Sequence, residues 1–331
     1  DWGPRLQLFV EPAQAHLAGA VEAAVADALP EEFLGYPTRS TGSATTGLGV
    51  LSPDGDRHGV TVTELGDWLR QALGFDPRGG VGVADWLATP TQRLAEITNG
   101  AVFHDGLDGA LDRVRAALGW YPDDVWRYVL AAQWGRIAQA EHLAGRCAEV
   151  GDDLGSRVTV ARVARDLMRL GLLLGRRYPP YDKWLGSEFA RLPEVGPVAR
   201  ALAGAVEAGD WPGRQDALCR ALEAVAQWSN RTGLAAPVDP TVRWFHRRPF
   251  LVLDAGRFAD ALRAAITDPG LRGRPLVGAV DQFVDSTEVL ARPERFRPVA
   301  LAPAGDAGPP ELPDGPGLPD APGPGPASGT G

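Results

Sequence analysis

The fold is decided by the stretch at residues 122–137, which reads PDDVWRYVLAAQWGRI. Pro122 followed by Asp123 and Asp124 is typical of a helix start, because the first turn tolerates proline and favours negative charge. Four large apolar side chains then recur at spacings of four, four and three: Trp126, Leu130, Trp134 and Ile137. This spacing places them along one face of a helix. The stretch therefore predicts a helix with one apolar stripe.

The chain on both sides of this stretch continues the helical pattern, from residue 106 to about 235. Apolar periodicity and turn residues predict further helices at Leu107–Leu118, Leu154–Arg176, Val195–Ala208 and Pro212–Trp228. A mixed segment with Phe250–Leu253 and a helix at Arg257–Ile266 follows. We therefore predict a mainly helical domain over residues 106–300.

Residues 1–105 have a different pattern, which predicts a mixed α/β part. The apolar run Leu6–Val10 and the alternating run His58–Thr63 are typical of strands. An Ala-rich helix is predicted at Ala13–Leu29, and a short strand at Ala101–Phe103. We expect Leu6–Val10 to lie in one sheet near His58–Thr63, which makes the fold class α+β.

Composition excludes several classes of protein. The chain has 331 residues and a formal net charge of −9, so it is unsuited to gripping nucleic acid through phosphate neutralisation. No run is apolar and long enough for a membrane span. The two cysteines, Cys147 and Cys219, form neither a disulfide framework nor a CxxC pair. A small anionic ligand held in a local basic pocket remains compatible with this charge.

The two ends of the chain carry separate predictions. From Leu301 to Gly331, 17 of 31 residues are Gly or Pro and four are acidic, which is typical of a disordered tail. The opening residues Asp1-Trp2-Gly3-Pro4-Arg5 lack the pattern of a signal peptide and lead directly into the first strand. We therefore expect a cytoplasmic protein whose sheet is truncated at its N terminus. Asp1, ahead of a Gly-Pro turn, is a candidate metal ligand, although a cut site explains this opening equally well.

Two pairs of polar residues precede predicted helices. His104 and Asp105 suit phosphate binding or acid–base chemistry, but an aspartate at this position also caps a helix. Asp152 and Asp153 open the long helix that follows them, where capping and the helix dipole account for one carboxylate. The other is left to bind a metal or a substrate amine.

The loop Tyr178-Pro179-Pro180-Tyr181-Asp182-Lys183-Trp184 contains the only lysine of the chain, beside thirty-two arginines. A lysine ammonium contacts phosphate as a point charge, whereas arginine presents a planar fork. We therefore predict that Lys183 binds phosphate and that Tyr181 lines the same site. Chance placement of a single lysine is the alternative.

Two further sets of residues are open to more than one interpretation. Arg162, Asp166 and Arg169 share one helix face, either as a buried network lining a pocket or as a surface ladder of salt bridges. Arg136 and His142 loosely fit the Arg-x4–6-His motif of helical ribonucleases of the HEPN type.

An ordered series of motifs resembles the bacterial family known as domain of unknown function 4037. The series comprises Trp86–Pro90, Asn99–Asp105, Trp120–Trp126, Ala132–Ile137, Gly145-Arg146, Gly151–Ser156, Tyr178–Gly186 and Val280–Ser286. The resemblance is strong over residues 86–192 and looser over the rest of 1–300.

Members of this family resemble nucleotidyltransferases in their N-terminal half, where a Gly-Ser turn precedes an Asp-x-Asp pair and Trp-Gly-Pro-Arg. This sequence begins at what resembles the second aspartate of the pair, Asp1. The resemblance implies Mg²⁺ bound by Asp1, with phosphate or substrate contacts from Lys183, Tyr181, Arg146, Asp152, Asp153, His104 and Asp105. Glu64 is the only candidate for a third carboxylate, and it fits poorly. Fold analogy then predicts transfer of a nucleoside monophosphate from a nucleoside triphosphate to a small hydroxylated acceptor. A non-catalytic nucleotide-binding or regulatory protein and a HEPN-like ribonuclease are the alternatives.

Overall fold

The computed structural model describes residues 6–38, 59–193 and 195–302. Within them the strands are short and few: β1 (Leu6–Val10), β2 (Glu32–Phe33), β3 (Tyr36–Pro37), β4 (Val60–Glu64), β5 (Arg243–Trp244) and β6 (Leu251–Val252). They pair as β1 with β4, β2 with β3 and β5 with β6. Asp1 and the predicted tail from residue 303 onward lie outside the described residues.

The pair β1–β4 confirms that the two predicted strands share a sheet. They run parallel, with Leu6 opposite Val60 and Val10 opposite Glu64. The predicted Ala-rich helix divides into a 3-10 segment, Pro12–Leu17, and helix α1 (Ala18–Ala28). The Glu22 carboxylate of α1 accepts a hydrogen bond of 3.1 Å from the Val62 amide. Since a strand edge leaves amide groups unpaired, this contact satisfies one of them and fixes the helix against β4.

The remaining helices make the described part of the chain mostly helical. Together with the few paired strands, they agree with the predicted α+β class. They are α2 (Leu65–Leu73), α3 (Val83–Ala88), α4 (Thr91–Thr98), α5 (Ala110–Ala117), α6 (Asp123–Ala140), α7 (Leu143–Glu149), α8 (Asp153–Leu174), α9 (Asp182–Ala190), α10 (Gly196–Glu207), α11 (Trp211–Arg231), α12 (Gly256–Ala264), α13 (Pro269–Gly273), α14 (Val280–Phe283), α15 (Thr287–Leu290) and α16 (Pro293–Leu301). Among the described residues, every helix is too short or too polar to cross a lipid bilayer.

Helix α6 confirms the predicted apolar stripe. Trp126, Leu130, Trp134 and Ile137 are all buried. The two indoles also find polar partners: Trp126 donates to the Leu173 carbonyl at 3.0 Å and Trp134 donates to the Ser229 hydroxyl at 3.2 Å. These bonds link α6 to α8 and α11, because a buried indole N–H needs an acceptor.

One apolar cluster extends through the described residues from Leu65 to Ala279. It contains Leu69 of α2 and Leu94 of α4 together with the helices that follow, so it crosses the predicted boundary at residue 105. A smaller cluster joins Ala88 to Val280, Phe296 and Ala300. The C-terminal helix α16 thus packs on α3, close to the N-terminal side of the core.

The predicted strand Ala101–Phe103 is wrong, because these residues form a loop. The Arg115 guanidinium donates to the carbonyls of Ile97, Asn99 and Gly100, which precede the loop. A side chain therefore fixes this turn of the backbone, and Phe103 is left 90% exposed.

Candidate functional site

A small open cleft lies where three separate segments of the chain meet helix α8. The first segment is Pro90–Gln92 at the start of α4, the second is Pro179–Asp182 before α9, and the third is Asp281–Asp285 around α14. Arg165 and Arg169 of α8 complete the lining. Three of the motifs that carry the family resemblance therefore converge on one cleft.

Hydrogen bonds between the first two segments hold the cleft together. Pro179 and Pro180 have no amide hydrogen and interrupt helical structure between α8 and α9. The amide of Tyr181 donates to the Gln92 side-chain oxygen at 2.8 Å. The Thr91 hydroxyl lies 2.6 Å from the Pro179 carbonyl and 2.5 Å from Asp281 Oδ2, and its single hydrogen serves one of these oxygens at a time.

A buried ion pair forms the floor of the cleft. Arg169 Nη2 donates to Asp281 Oδ2 at 2.8 Å and to the Asp281 backbone carbonyl at 3.1 Å. Each of the two side chains is only 7% exposed. Asp281 Oδ1 is buried and has no hydrogen-bond partner. An unpaired buried carboxylate oxygen is costly, so Asp281, a residue of the cleft lining, has one acceptor whose hydrogen bonding is unsatisfied.

The rim of the cleft is more exposed than the floor, and it contains one arginine and two aspartates. Arg165 forms a forked pair with Asp182, with its Nε 3.1 Å from Oδ2 and its Nη2 3.1 Å from Oδ1. Tyr181 is 43% exposed beside them. Asp285 is exposed, and among the described residues it has no ion-pair or hydrogen-bond partner.

An aromatic cluster packs near the floor. Tyr121 lies edge-on to Tyr178 with ring centroids 5.3 Å apart, and Trp120 lies 4.9 Å from Tyr178. Burial raises the pKa of the Tyr121 hydroxyl well above its usual value, and the nearby Tyr178 and Asp281 raise it further. Burial likewise raises the pKa of Tyr178, whose hydroxyl donates to the Leu118 carbonyl at 2.8 Å. Both phenols therefore remain neutral near pH 7.

Lys183 is not among the residues that line the cleft. Its side chain is exposed, and its ammonium lies 5.0 Å from the centroid of the Trp184 ring, a cation–π contact. Of the two residues predicted from this loop, Tyr181 lines the cleft and Lys183 lies beside it. Phosphate binding by Lys183 stays a prediction.

The two aspartates at the start of α8 have structural partners. Asp152 accepts a 2.8 Å hydrogen bond from the Gly155 amide and caps the helix, as predicted. Asp153 is not left free, because it pairs with Arg157 at 2.7 Å and with Arg214 at 2.5 Å. Hydrogen bonds from these two guanidinium groups lower the pKa of Asp153. Along the α8 axis, Asp153 lies about 18 Å from Arg165, at 1.5 Å per residue.

The other predicted site residues are also absent from the cleft lining. Asp105 accepts hydrogen bonds from the amides of Leu107 at 3.0 Å and Gly109 at 2.6 Å, which matches the capping interpretation of the His104-Asp105 pair. His104 is exposed. Arg146 is half-exposed and lies 3.6 Å from Glu149. A role for these residues in substrate binding stays a prediction.

The alternative interpretations of α6 and α8 have distinct outcomes. Asp166 and Arg169 are buried, whereas Arg162 is exposed. The two buried residues have different partners, because Asp166 accepts a hydrogen bond from Gln133 and Arg169 pairs with Asp281. Arg136 contacts Asp166 at 3.6 Å, and His142 stacks on Phe245 with ring centroids 4.9 Å apart. Neither Arg136 nor His142 lines the cleft.

Glu64 serves a structural role at the end of β4. Its carboxylate accepts a 2.9 Å hydrogen bond from the Asp67 amide and caps α2, and it lies 3.7 Å from both Arg70 and Arg78. Within residues 6–38, 59–193 and 195–302, no group of three His, Cys, Asp or Glu side chains is arranged to hold a metal ion. Asp1, the predicted ligand, lies outside these residues, so Mg²⁺ binding stays a prediction.

Sequence reasoning missed Thr91, Arg165, Asp281 and Asp285 as site residues. Asp281 and Asp285 were visible only as the two acidic positions of the motif Val280–Ser286. Their spacing of four residues gives no indication that they contact α8.

Comparison with known proteins identifies one family. Residues 86–185 match the family model described as Domain of unknown function (DUF4037), which confirms the resemblance seen in the motifs. No curated protein and no solved structure matches the chain.

Proposed function

We propose that the full-length protein to which this sequence belongs is a nucleotidyltransferase that moves a nucleoside monophosphate from a nucleoside triphosphate onto a small hydroxylated acceptor, as the match of residues 86–185 to the DUF4037 family model suggests. The observation that carries this proposal is the parallel pair β1–β4. A nucleotidyltransferase requires strands of one sheet to present carboxylates to a triphosphate, and this pair with α1 packed against β4 is compatible with such a sheet.

In the proposed reaction an acceptor hydroxyl oxygen attacks the α-phosphorus of the triphosphate. The bond from that phosphorus to the bridging oxygen breaks, pyrophosphate leaves with the electron pair, and the hydroxyl proton passes to water. Mg²⁺ and its ligand Asp1 belong to the proposal, but we assign no step to the ion, because none of the described residues forms a metal site. The cleft beside α8 is the proposed acceptor site.

The test uses the full chain in two stages. Isothermal titration with the α,β-methylene analogue of ATP and the corresponding analogues of GTP, CTP and UTP, in Mg²⁺, measures nucleotide binding. Incubation with each α-³²P-labelled triphosphate and a mixture of polyols and amino sugars then measures label transfer and pyrophosphate release. We expect binding of at least one nucleotide, label transfer, and loss of both when EDTA removes the Mg²⁺.

Matched variants distinguish the proposed site from a general effect of charge. Asp1→Asn should lower turnover at least about 100-fold, whereas Asp27→Asn, an exposed carboxylate on α1, should leave it unchanged. Absence of nucleotide binding would overturn the proposal. Binding without any label transfer would favour the non-catalytic nucleotide-binding alternative.

A further inference from the structure

We propose that the cleft beside α8 binds a small molecule through an ammonium group, held between Asp285, Asp281 and the ring of Tyr181. As an assignment of the acceptor, this inference rests on the proposed function. As a binding site, it stands on the cleft alone and is tested without a nucleotide.

The charges that face the cleft favour a cationic ligand. The lining residues include two arginines, Arg165 and Arg169, and three aspartates, Asp182, Asp281 and Asp285. Both guanidinium groups are paired, Arg165 with Asp182 and Arg169 with Asp281. The Asp285 carboxylate is left over, so the cleft has one uncompensated negative charge.

The carboxylate oxygens without hydrogen-bond partners favour a ligand that donates hydrogen bonds. Asp281 Oδ1 is a buried acceptor without a partner, on a side chain more than nine-tenths buried, and Asp285 has no partner among the described residues. An ammonium group carries three donors and no acceptor, so it complements this set. A carboxylate or phosphate ligand would instead place its own acceptor oxygens beside those of the aspartates, where they could not form hydrogen bonds with each other.

Tyr181 supplies the third contact. Its ring lines the cleft and is 43% exposed, although its backbone amide is held by Gln92. An exposed aromatic ring beside a carboxylate attracts a cation through the ring quadrupole. The only lysine of the chain does not supply this cation, since the Lys183 ammonium lies over Trp184 instead.

A metal ion is a poorer match than an ammonium group. The three aspartates of the cleft are not arranged as a metal-holding group within the described residues. Two of them are already bound to guanidinium groups, and divalent cations such as Mg²⁺ and Ca²⁺ are held by oxygen ligands rather than by an aromatic ring.

The test compares amines with neutral and acidic counterparts that share their shape. Glucosamine is compared with glucose and glucuronate, ethanolamine with ethylene glycol and glycolate, and spermidine with triethylene glycol. Isothermal titration and saturation-transfer NMR are carried out on the full chain without nucleotide. We expect at least one amine to bind at least tenfold more tightly than its counterparts, and its affinity to fall at high salt.

Variants locate the binding. Asp285→Asn and Tyr181→Ala should each weaken binding of that amine at least fivefold. Asp260→Asn is the matched control, because Asp260 is an exposed carboxylate on α12 without a partner among the described residues. It should leave the affinity unchanged.

Three results would overturn the inference. They are binding of no amine above its counterparts, preferential binding of the acidic compounds, and an affinity that Asp285→Asn and Asp260→Asn change equally. None of these results depends on nucleotide binding, so failure here is separate from failure of nucleotidyl transfer.

Discussion

Glu141 is a buried carboxyl group with two opposing influences. It is 6% exposed and accepts 2.8 Å hydrogen bonds from the amides of Leu253 and Ala255. Burial penalises its charged form and raises its pKa to about 7, although these hydrogen bonds favour ionisation. The penalty of burial prevails, so the folded protein holds this proton more tightly than the unfolded chain does.

This shift predicts a loss of stability as the pH rises. The contribution of Glu141 is fully present below its ordinary pKa of 4.5 and is lost as the pH rises through about 7. The loss is at most about 3 kcal/mol, at 1.36 kcal/mol per pKa unit. Urea unfolding of the protein and of Glu141→Gln at pH 5, 6, 7 and 8 measures it.

We expect the unfolding free energy of the unchanged protein to fall relative to that of Glu141→Gln as the pH rises from 5 to 8. Glu207→Gln, an exposed carboxyl group on α10, should show no such dependence. A difference from Glu141→Gln that is constant with pH would contradict the prediction.

At the scale of elements, one buried ion pair joins α8 to α14. Arg169 and Asp281 lie 2.8 Å apart, and both side chains are largely withdrawn from solvent. Desolvation offsets much of the attraction in such a pair, but removal of one partner leaves the other charge unpaired and buried. The pair therefore makes α14 more sensitive to a single substitution than to a double one.

We predict that Arg169→Met and Asp281→Leu each destabilise the protein by about 3–5 kcal/mol, and that the double variant costs less than either. Urea denaturation of all four proteins gives the coupling free energy. The exposed pair Arg220–Asp216 on α11 is the control, and its cycle should give less than about 1 kcal/mol. Additive costs at the buried pair would show that the prediction is wrong.

Element positions were more predictable than element partners. The spacing of Trp126, Leu130, Trp134 and Ile137 depends only on local geometry, so α6 could be placed from sequence. The loop at Ala101–Phe103 could not, because Arg115 fixes the backbone ahead of it through carbonyls that are 15 to 18 positions away in sequence.

At the scale of the whole molecule, the cleft could not be predicted from the sequence, because it is also formed by contacts between residues far apart in the chain. Thr91 and Asp281 are separated by 190 positions, and their contact depends on how α4, α8 and α14 pack. Periodicity assigns a buried face to each helix but does not specify which helix covers it. The motifs around Pro90, Tyr181 and Asp281 therefore indicated a family resemblance, but the sequence did not indicate that they lie together in one cleft.

The C-terminal helix α16 packs on the core through both apolar and charged side chains. Phe296 is fully buried against Ala88 and Val280. Arg297 pairs with Asp85 of α3 at 2.7 Å, and its guanidinium lies 5.3 Å from the ring of Phe75. The last helix is therefore part of the core contacts, whereas the Gly/Pro-rich composition after residue 302 predicts no contribution to them.

Two truncations test this difference. A chain that ends at Ala302 should keep its melting temperature within about 2 °C, because removal of Gly/Pro-rich residues without apolar bulk loses little buried surface. A chain that ends at Arg292 should melt at least about 6 °C lower, since loss of a buried Phe alone costs about 3–5 kcal/mol and each kcal/mol shifts a domain of this size by about 2–4 °C. Circular dichroism melts of the two truncated chains and the full chain measure both shifts. Phe296→Ala in the full chain is the matched control and should reproduce most of the larger shift, because it removes the same side chain from the cluster with Ala88. Equal melting temperatures for the two truncated chains would contradict the role assigned to α16, and a large loss at Ala302 would contradict the prediction for the residues that follow it.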